Sequence, residues 1–130
     1  MCNFANVRLL LIDDSAIWRT FATKHLNEAG LTAIELAYDG VQGVFKARAL
    51  QPDVILLDVR LPHMNGLEAA EKIRDAAPQS KVIFVSGTTD PRVIQAAMDA
   101  GGLDYVMKSR AGRDLIPAIK RALQGEQGQS

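Results

Sequence analysis

The sequence predicts an α/β fold in which five parallel strands form a doubly wound sheet with five helices over its two faces. Short apolar runs recur five times along the chain, and an amphipathic segment with helical spacing follows each run. Strands that alternate with helices in this way favour a parallel sheet with right-handed crossover connections. A length of 130 residues is that of one domain.

Caps, glycines and prolines bound the predicted elements. In chain order, the prediction comprises strands at residues 7–12, 31–37, 54–57, 81–85 and 105–107, and helices at residues 15–29, 39–50, 67–77, 91–100 and 115–123. We expect the domain to span residues 6–124. The glutamine- and glycine-rich residues 125–130 are expected to be a flexible tail or the start of a linker.

The first strand–helix unit has a clear beginning and end. Its apolar run at residues 7–12 ends in Asp13 and Asp14, which is typical of a buried strand that enters a polar loop. Ser15 is a good helix N-cap, and Gly30 stands where the helix is expected to end.

The second and third strands follow the same pattern. Residues 31–37 form the second predicted strand, and Asp39 opens the second helix, which ends before Pro52. The third apolar run, at residues 54–57, ends in Asp58. Two buried strands of the predicted sheet therefore end in aspartate.

Loop and helix signals define the remaining elements. Proline, asparagine and glycine enforce a loop over residues 60–66, and the fourth apolar run leads into Ser86. Pro91 suits the first position of the fourth helix, and the fifth strand ends in Lys108. In the last helix, Pro117 must lie within about the first turn or kink the helix.

Composition and charge exclude several classes of protein. Fifteen basic residues balance fifteen acidic ones, so no overall charge attracts nucleic acid or an anionic membrane. The apolar runs are far shorter than the roughly 20 residues needed to cross a bilayer. The single cysteine, Cys2, cannot form an internal disulfide, which fits a reducing cytoplasm. We expect a soluble, cytoplasmic protein.

The residues with reactive side chains stand at the strand ends. In an open parallel sheet, ligands bind outside the carboxyl ends of the strands. That edge would collect three carboxylates, a hydroxyl and an ammonium, from Asp13, Asp14, Asp58, Ser86 and Lys108. Two carboxylates about 4 Å apart repel by on the order of 4 kcal/mol at an effective dielectric constant near 20.

A divalent cation would offset this repulsion, and an oxygen-rich site with room for water suits Mg²⁺. A raised carboxyl pKa is the alternative. A carboxylate beside a bound cation can attack phosphorus. Lys108 and the Ser86 hydroxyl would then contact phosphoryl oxygens from the other side.

These residues and their surroundings resemble the receiver domains of two-component response regulators over nearly the whole chain. The resemblance rests on Asp13-Asp14, the segment PDVILLD at residues 52–58, the loop LPHMNG at residues 61–66, Ser86-Gly87, Ala100-Gly101, Tyr105 and Lys108. It implies a flavodoxin-like or CheY-like sheet with the strand order 2-1-3-4-5.

The resemblance also implies a role for each carboxylate. Asp58 would be the phosphoacceptor, which takes a phosphoryl group from a histidine kinase or phosphotransfer protein to form an acyl phosphate. Asp14, Asp58 and the backbone carbonyl of Arg60 would bind Mg²⁺ directly, and Asp13 would act mainly through a bound water.

The same resemblance predicts a conformational switch. Ser86 would move to hydrogen-bond the phosphoryl group, Lys108 would pair with it, and the ring of Tyr105 would turn inward. The surface of helix four, strand five and helix five would change as a result, and would control an output domain, a partner or a homodimer. The domain itself would bind neither nucleic acid nor membrane.

Two features depart from the most common family pattern. The family often has a cis proline after the lysine, whereas Ser109 follows Lys108, so we expect a trans bond there. This departure points weakly to receivers of the NarL/LuxR type. Side chains at the positions of Arg60 and Thr88 tune the lifetime of the phosphoryl group in the family.

Three other functions stay open. A Mg²⁺-dependent phosphatase with an aspartate nucleophile would need a second aspartate where Arg60 stands. A flavodoxin-like cofactor binder would need a phosphate-binding loop where the acidic pair lies. A degenerate receiver would act by protein binding alone.

Overall fold

The predicted architecture is confirmed by the computed structural model, which describes residues 4–125. Five parallel strands form one sheet in the order β2-β1-β3-β4-β5. The strands are β1 (Arg8–Ile12), β2 (Ala33–Ala37), β3 (Val54–Leu57), β4 (Lys81–Ser86) and β5 (Asp104–Met107). The helices are α1 (Ala16–Glu28), α2 (Gly40–Leu50), α3 (Gly66–Ala76), α4 (Pro91–Asp99) and α5 (Ala111–Leu123).

The two faces of the sheet carry separate apolar cores, because successive side chains of a strand point to opposite faces. Leu9 and Leu11 of β1 pack in a cluster with residues of α1 and α5. Leu10 and Ile12 pack in a second cluster with residues of α2, α3 and α4. Residues 9–12 are each at most 1% exposed, which explains why the run is apolar without alternation.

Side-chain caps set the start of the first four helices. Each cap oxygen accepts a hydrogen bond from a backbone N–H of the first turn: Ser15 from Trp18, Asp39 from Gln42, Asn65 from Glu68 and Asp90 from Arg92. The boundaries predicted for these four helices agree with the structure to within one residue, and the sequence already indicated Ser15 and Asp39 as the starts of α1 and α2.

The last helix differs from the prediction. It begins at Ala111 instead of residue 115, after a short 3₁₀ turn at Lys108–Arg110. Pro117 consequently lies in the middle of α5, beyond the first turn. Burial explains the longer helix, because Ala111, Leu115 and Ile119 all pack in the core on the inner face of α5.

The sheet topology brings the strand ends together at one edge. β1 lies between β2 and β3, where the chain order reverses, and β3 is followed in the sheet by β4 and β5. Within residues 4–125, no helix is long and apolar enough to cross a membrane. Cys2 and residues 126–130 of the predicted tail lie outside the described residues.

Candidate functional site

Three strands deliver the acidic and basic groups to one place. Asp13 directly follows β1, and Asp58 directly follows the neighbouring strand β3. The in-register pair Ile12 and Leu57 sets these aspartates side by side. The Asp58 N–H donates to the Ile12 carbonyl at 3.2 Å, so the backbone pairing continues to the site.

A cluster of carboxylates occupies this edge. One oxygen each from Asp13, Asp14 and Asp58 lies within 4.8 Å of the other two. Asp13 and Asp58 are buried, whereas Asp14 is exposed. Carboxylate oxygens are preferred donors for small hard cations, and the exposed side leaves room for water ligands. The donor set therefore fits Mg²⁺.

Lys108 joins the two buried carboxylates. Its Nζ lies 2.8 Å from Asp13 Oδ2 and 2.9 Å from Asp58 Oδ2, and its side chain is 23% exposed. Burial alone would lower the pKa of Lys108, but the hydrogen bonds and charges of the two carboxylates raise this pKa above its ordinary value. Lys108 is thus a fixed positive charge at the site.

The loop after β1 holds Asp13 in one orientation. The Ser15 N–H donates to Asp13 Oδ1 at 2.8 Å, and the Arg19 guanidinium donates to the Asp13 backbone carbonyl at 2.8 Å. Arg19 also lies over the ring of Tyr38, 4.3 Å from its centroid. Burial is the strongest influence on the Asp13 carboxyl and raises its pKa, although Lys108 and Ser15 oppose this effect.

The loop after β3 depends on a close backbone approach. The Arg60 N–H donates to Asp58 Oδ1 at 3.3 Å, and the Gly66 N–H donates to the Val59 carbonyl at 2.7 Å. A Cβ atom on Gly66 would overlap the Asp58 carbonyl oxygen. Glycine at residue 66 is therefore required by the path of the chain around Asp58.

Ser86 and Tyr105 connect the site with the loop between β4 and α4. The Ser86 side chain is buried, and its Oγ accepts a long hydrogen bond from the Thr88 N–H at 3.4 Å. The Tyr105 hydroxyl donates to the Thr88 carbonyl at 2.9 Å. Burial raises the pKa of Tyr105, so its hydroxyl stays protonated and able to donate.

An open cleft of about 600 Å³ gives access to Asp58 from solvent. Its lining residues are Asp58, Arg60, Ser86, Gly87, Thr88, Thr89, Asp90 and Lys108. The cleft presents a buried carboxylate, an ammonium and the hydroxyl-bearing loop between β4 and α4 to an incoming anion. The described residues contain no cis peptide bond, so the bond between Lys108 and Ser109 is trans, as the sequence predicts.

Four of the sequence-predicted site residues come together at this edge: Asp13, Asp14, Asp58 and Lys108. Ser86 lines the same cleft, and Tyr105 contacts its loop through Thr88. The sequence analysis did not include Trp18 or Arg19 among the site residues. Both follow the acidic pair within the first turn of α1, where a side chain can reach back to the end of β1. That proximity in sequence was the available signal.

Comparison with known proteins identifies relatives of this chain. The family model described as the response regulator receiver domain matches residues 9–120. A protein-glutamate methylesterase/protein-glutamine glutaminase from Maricaulis maris is 42% identical over 109 residues, covering 82% of this chain and 27% of the relative. The nitrate/nitrite response regulator NarL of Escherichia coli is 33% identical over 127 residues, covering 97% of this chain and 59% of NarL.

A solved structure has the same fold. The receiver domain of a sensor histidine kinase from Pseudomonas aeruginosa, with a magnesium ion coordinated in its active site cleft, aligns with a TM-score of 0.84 and 26% identity. The alignment covers 92% of this chain and 99% of that receiver. This chain spans 27% and 59% of the length of the two curated relatives above.

Proposed function

The chain belongs to the response regulator receiver domain family, and on that premise we propose that Asp58 accepts a phosphoryl group from a histidine kinase or phosphotransfer protein. The observation that carries this proposal is the double ion pair of Lys108. One ammonium lies within 3 Å of Asp58 and of Asp13, at the edge where three carboxylates meet. Asp58 is the member of this cluster that also lines the open cleft.

The proposed reaction is a transfer between two nucleophiles. A carboxylate oxygen of Asp58 forms a bond to phosphorus, and the bond between phosphorus and the donor's histidine nitrogen breaks. The electron pair of the broken bond stays on that nitrogen, so the product is an acyl phosphate on Asp58. Buried surroundings strengthen the electrostatic interactions that favour this step.

We infer that Asp14, Asp58 and the backbone carbonyl of Arg60 hold the Mg²⁺ ion. When bound, the metal neutralises negative charge on the carboxylates and the phosphoryl oxygens. Asp13 is better suited to act through a water, because the Ser15 N–H holds its Oδ1 at 2.8 Å, whereas the Arg60 N–H holds Asp58 Oδ1 only at 3.3 Å. Asp14 has an exposed side chain that is free to orient toward the cation.

Ser86 and Lys108 are proposed to stabilise the phosphoryl group after transfer. The Lys108 ammonium would stay beside Asp58 after the transfer and pair, as a point charge, with a phosphoryl oxygen. The Ser86 hydroxyl would turn toward the phosphoryl group and donate a hydrogen bond. Its present bond to Thr88 is long, at 3.4 Å, and is weak enough to give up.

The output of the proposed switch is a change in the surface formed by α4, β5 and α5. The Tyr105 hydroxyl donates a hydrogen bond to the Thr88 carbonyl, and the Thr88 N–H donates to Ser86 at the start of the same loop. Movement of Ser86 would therefore change the environment of Tyr105 and shift a two-state packing arrangement. We propose that this surface controls an output domain, a downstream protein or a homodimer.

A phosphatase function is disfavoured by the residue two positions after Asp58. Such an enzyme needs a carboxyl at this position as its acid and base, and the guanidinium of Arg60 cannot take that role. We therefore propose a signalling module that promotes only its own phosphorylation and dephosphorylation.

Intact-mass spectrometry tests the proposal. The protein is incubated with acetyl phosphate with and without Mg²⁺, beside an Asp58→Asn variant. We expect a Mg²⁺-dependent gain of one phosphoryl group in the wild type and no gain in the variant. An unphosphorylated wild type that is folded and binds Mg²⁺ would refute the phosphoacceptor role and favour a degenerate receiver that acts by protein binding.

A further inference from the structure

The ammonium of Lys108 has a third neighbour besides the two carboxylates. It lies over the indole ring of Trp18, 5.3 Å from the ring centroid. An ammonium has three N–H donors, and the carboxylates of Asp13 and Asp58 occupy two directions around it. A tryptophan face within about 6 Å is the most favourable aromatic partner for a cation.

The ring of Trp18 is itself held in place along α1. Its centroid lies 5.2 Å from the ring of Phe21, and Phe21 stacks on His25 at 5.6 Å with an angle of 9° between their planes. Residues at this spacing share one helix face. Trp18 also packs against the apolar core. The indole therefore meets Lys108 as a rigid surface.

The indole N–H of Trp18 argues that packing alone does not account for this residue. It is buried and has no hydrogen-bond partner among residues 4–125. A buried donor without a partner costs free energy, which a phenylalanine or leucine in the same space would avoid. The face of the indole attracts a cation more strongly than that of phenylalanine, and leucine has no such face, so the contact with Lys108 accounts for a tryptophan at residue 18.

We propose that Trp18 is a positioning residue, which keeps the Lys108 ammonium beside Asp58 when the carboxylates engage other partners. This inference rests on the proposed function. Asp13 and Asp58 belong to the carboxylate cluster, so a cation bound there competes with Lys108 for both of them. The indole has no formal charge and stays available to Lys108, so the ammonium remains within reach of the phosphoryl oxygens.

Fluorinated tryptophan tests the role of the ring face. Because the chain has one tryptophan, biosynthetic incorporation of difluoro- and tetrafluorotryptophan changes only residue 18. Fluorine withdraws electron density from the ring face, while the shape of the ring changes little. We expect the rate of Mg²⁺-dependent phosphorylation by acetyl phosphate to fall by about threefold with difluorotryptophan and by about tenfold with tetrafluorotryptophan. Equal rates across the series would overturn the proposal.

Nuclear magnetic resonance of the protein without Mg²⁺ and phosphodonor provides a readout that does not require phosphorylation. The Lys108 methylene protons next to Nζ should be shifted upfield by the indole ring. The shift should persist in part in Trp18→Phe and disappear in Trp18→Leu, whose fold is checked by circular dichroism. Phe45→Leu, which removes an exposed ring of α2, is the matched control and should leave the shift unchanged.

The two readouts separate the two hypotheses. A wild type that takes up no phosphoryl group refutes the proposed function. In that case the upfield shift still tests, by itself, whether Lys108 contacts Trp18. Lys108 protons without an upfield shift in the wild type would overturn the inference even if Asp58 is phosphorylated.

Discussion

The buried carboxylates of Asp13 and Asp58 are held by hydrogen bonds that fix each side chain before any ligand arrives. The backbone N–H of Ser15 donates to Asp13, the N–H of Arg60 donates to Asp58, and Lys108 bridges the two. Groups that are oriented in advance need not reorganise during reaction, which is the main source of electrostatic stabilisation at protein sites. Single substitutions near Asp58 should therefore affect reactivity as well as stability.

Gly66→Ala tests the close backbone approach beside Asp58. The added methyl group would overlap the Asp58 carbonyl oxygen, so we expect a loss of about 1–3 kcal/mol in the free energy of unfolding. Displacement of Asp58 should also slow phosphorylation by at least about tenfold. Urea unfolding and the acetyl phosphate assay measure the two effects.

Gly112→Ala is the control for this substitution. Gly112 lies in α5, and a Cβ atom there meets nothing within 4 Å. We expect it to raise the free energy of unfolding by up to about 1 kcal/mol and to leave phosphorylation unchanged. Equal effects of the two substitutions would show that the close approach of Gly66 to Asp58 influences neither the free energy of unfolding nor phosphorylation.

At the scale of secondary-structure elements, local capping and burial compete to decide where helices begin. The N-terminus of α2 is set by the Asp39 carboxylate, which accepts from the Gln42 N–H at 2.8 Å. The N-terminus of α5 has no side-chain cap, and its start at Ala111 follows from burial of the inner helix face. These two helices should respond differently to pH and substitution.

The cap of α2 predicts a pH dependence of stability. The hydrogen bond from Gln42 is the main cause that lowers the pKa of Asp39 below its ordinary value of 3.8. The ionised cap therefore stabilises the fold above pH 3.8, and this contribution is lost as the pH falls through the lowered pKa. We expect Asp39→Asn, which keeps a capping oxygen without the charge, to be less stable than the wild type at pH 6.

Chemical unfolding at a series of pH values measures this difference. The gap in the free energy of unfolding between wild type and Asp39→Asn should narrow below pH 3.8 as the wild-type carboxyl becomes protonated. A gap that stays constant from pH 6 to pH 3 would mean that the charge of Asp39 does not stabilise α2.

Pro117→Ala tests the cost of proline within α5. Pro117 is exposed and lies in the interior of the helix, where it lacks the N–H that would bond to the preceding turn. We expect the substitution to raise the free energy of unfolding by about 1–2 kcal/mol, since the gain in the helix exceeds the lost restriction of the unfolded chain. A lower melting temperature for the variant would contradict this expectation.

At the scale of the whole molecule, the loop between β4 and α4 gives the proposed signal a path from Asp58 to α4, β5 and α5. Thr88 connects both ends of this path: its N–H bonds to Ser86, and its carbonyl accepts from Tyr105. The ring of Tyr105 packs 6.5 Å from that of Phe84 in the core cluster beneath α4. A conformational change of this loop therefore reaches a buried part of the sheet.

Ser86→Ala should uncouple phosphorylation from this response. We expect the variant to accept a phosphoryl group on Asp58, because the nucleophile and Lys108 remain, at a rate reduced by about tenfold or more. Hydrogen exchange should show that phosphorylation alters amide protection in the loop before α4 and in β5 of the wild type, but not of the variant.

Thr20→Ala removes a hydroxyl that bonds to the Ala16 carbonyl within α1, and it serves as the control. Its hydrogen-exchange response to phosphorylation should equal that of the wild type. An unchanged response in Ser86→Ala would exclude the Ser86 hydroxyl as the link between Asp58 and Tyr105.

The sequence by itself determined the order of the elements, the strand order through the family resemblance, and the residues at each strand end. The element order and the strand ends are local features: apolar periodicity identifies strands and helices, and Ser15 and Asp39 cap helices within one turn. Local patterns also placed the reactive side chains at the strand ends, whereas Arg60 and Tyr105 became candidates through the family resemblance. The individual roles of all these residues stay predictions.

Only the tertiary structure decided the contacts between segments that are distant in the chain. Trp18 lies under Lys108, Arg19 spans from Asp13 to Tyr38, and α5 begins at Ala111 because the core accepts its inner face. Such contacts depend on how the strands pair and how the helices pack on them. Burial then overrides the local signal of Pro117, since the apolar area gained by the longer helix offsets the missing hydrogen bond.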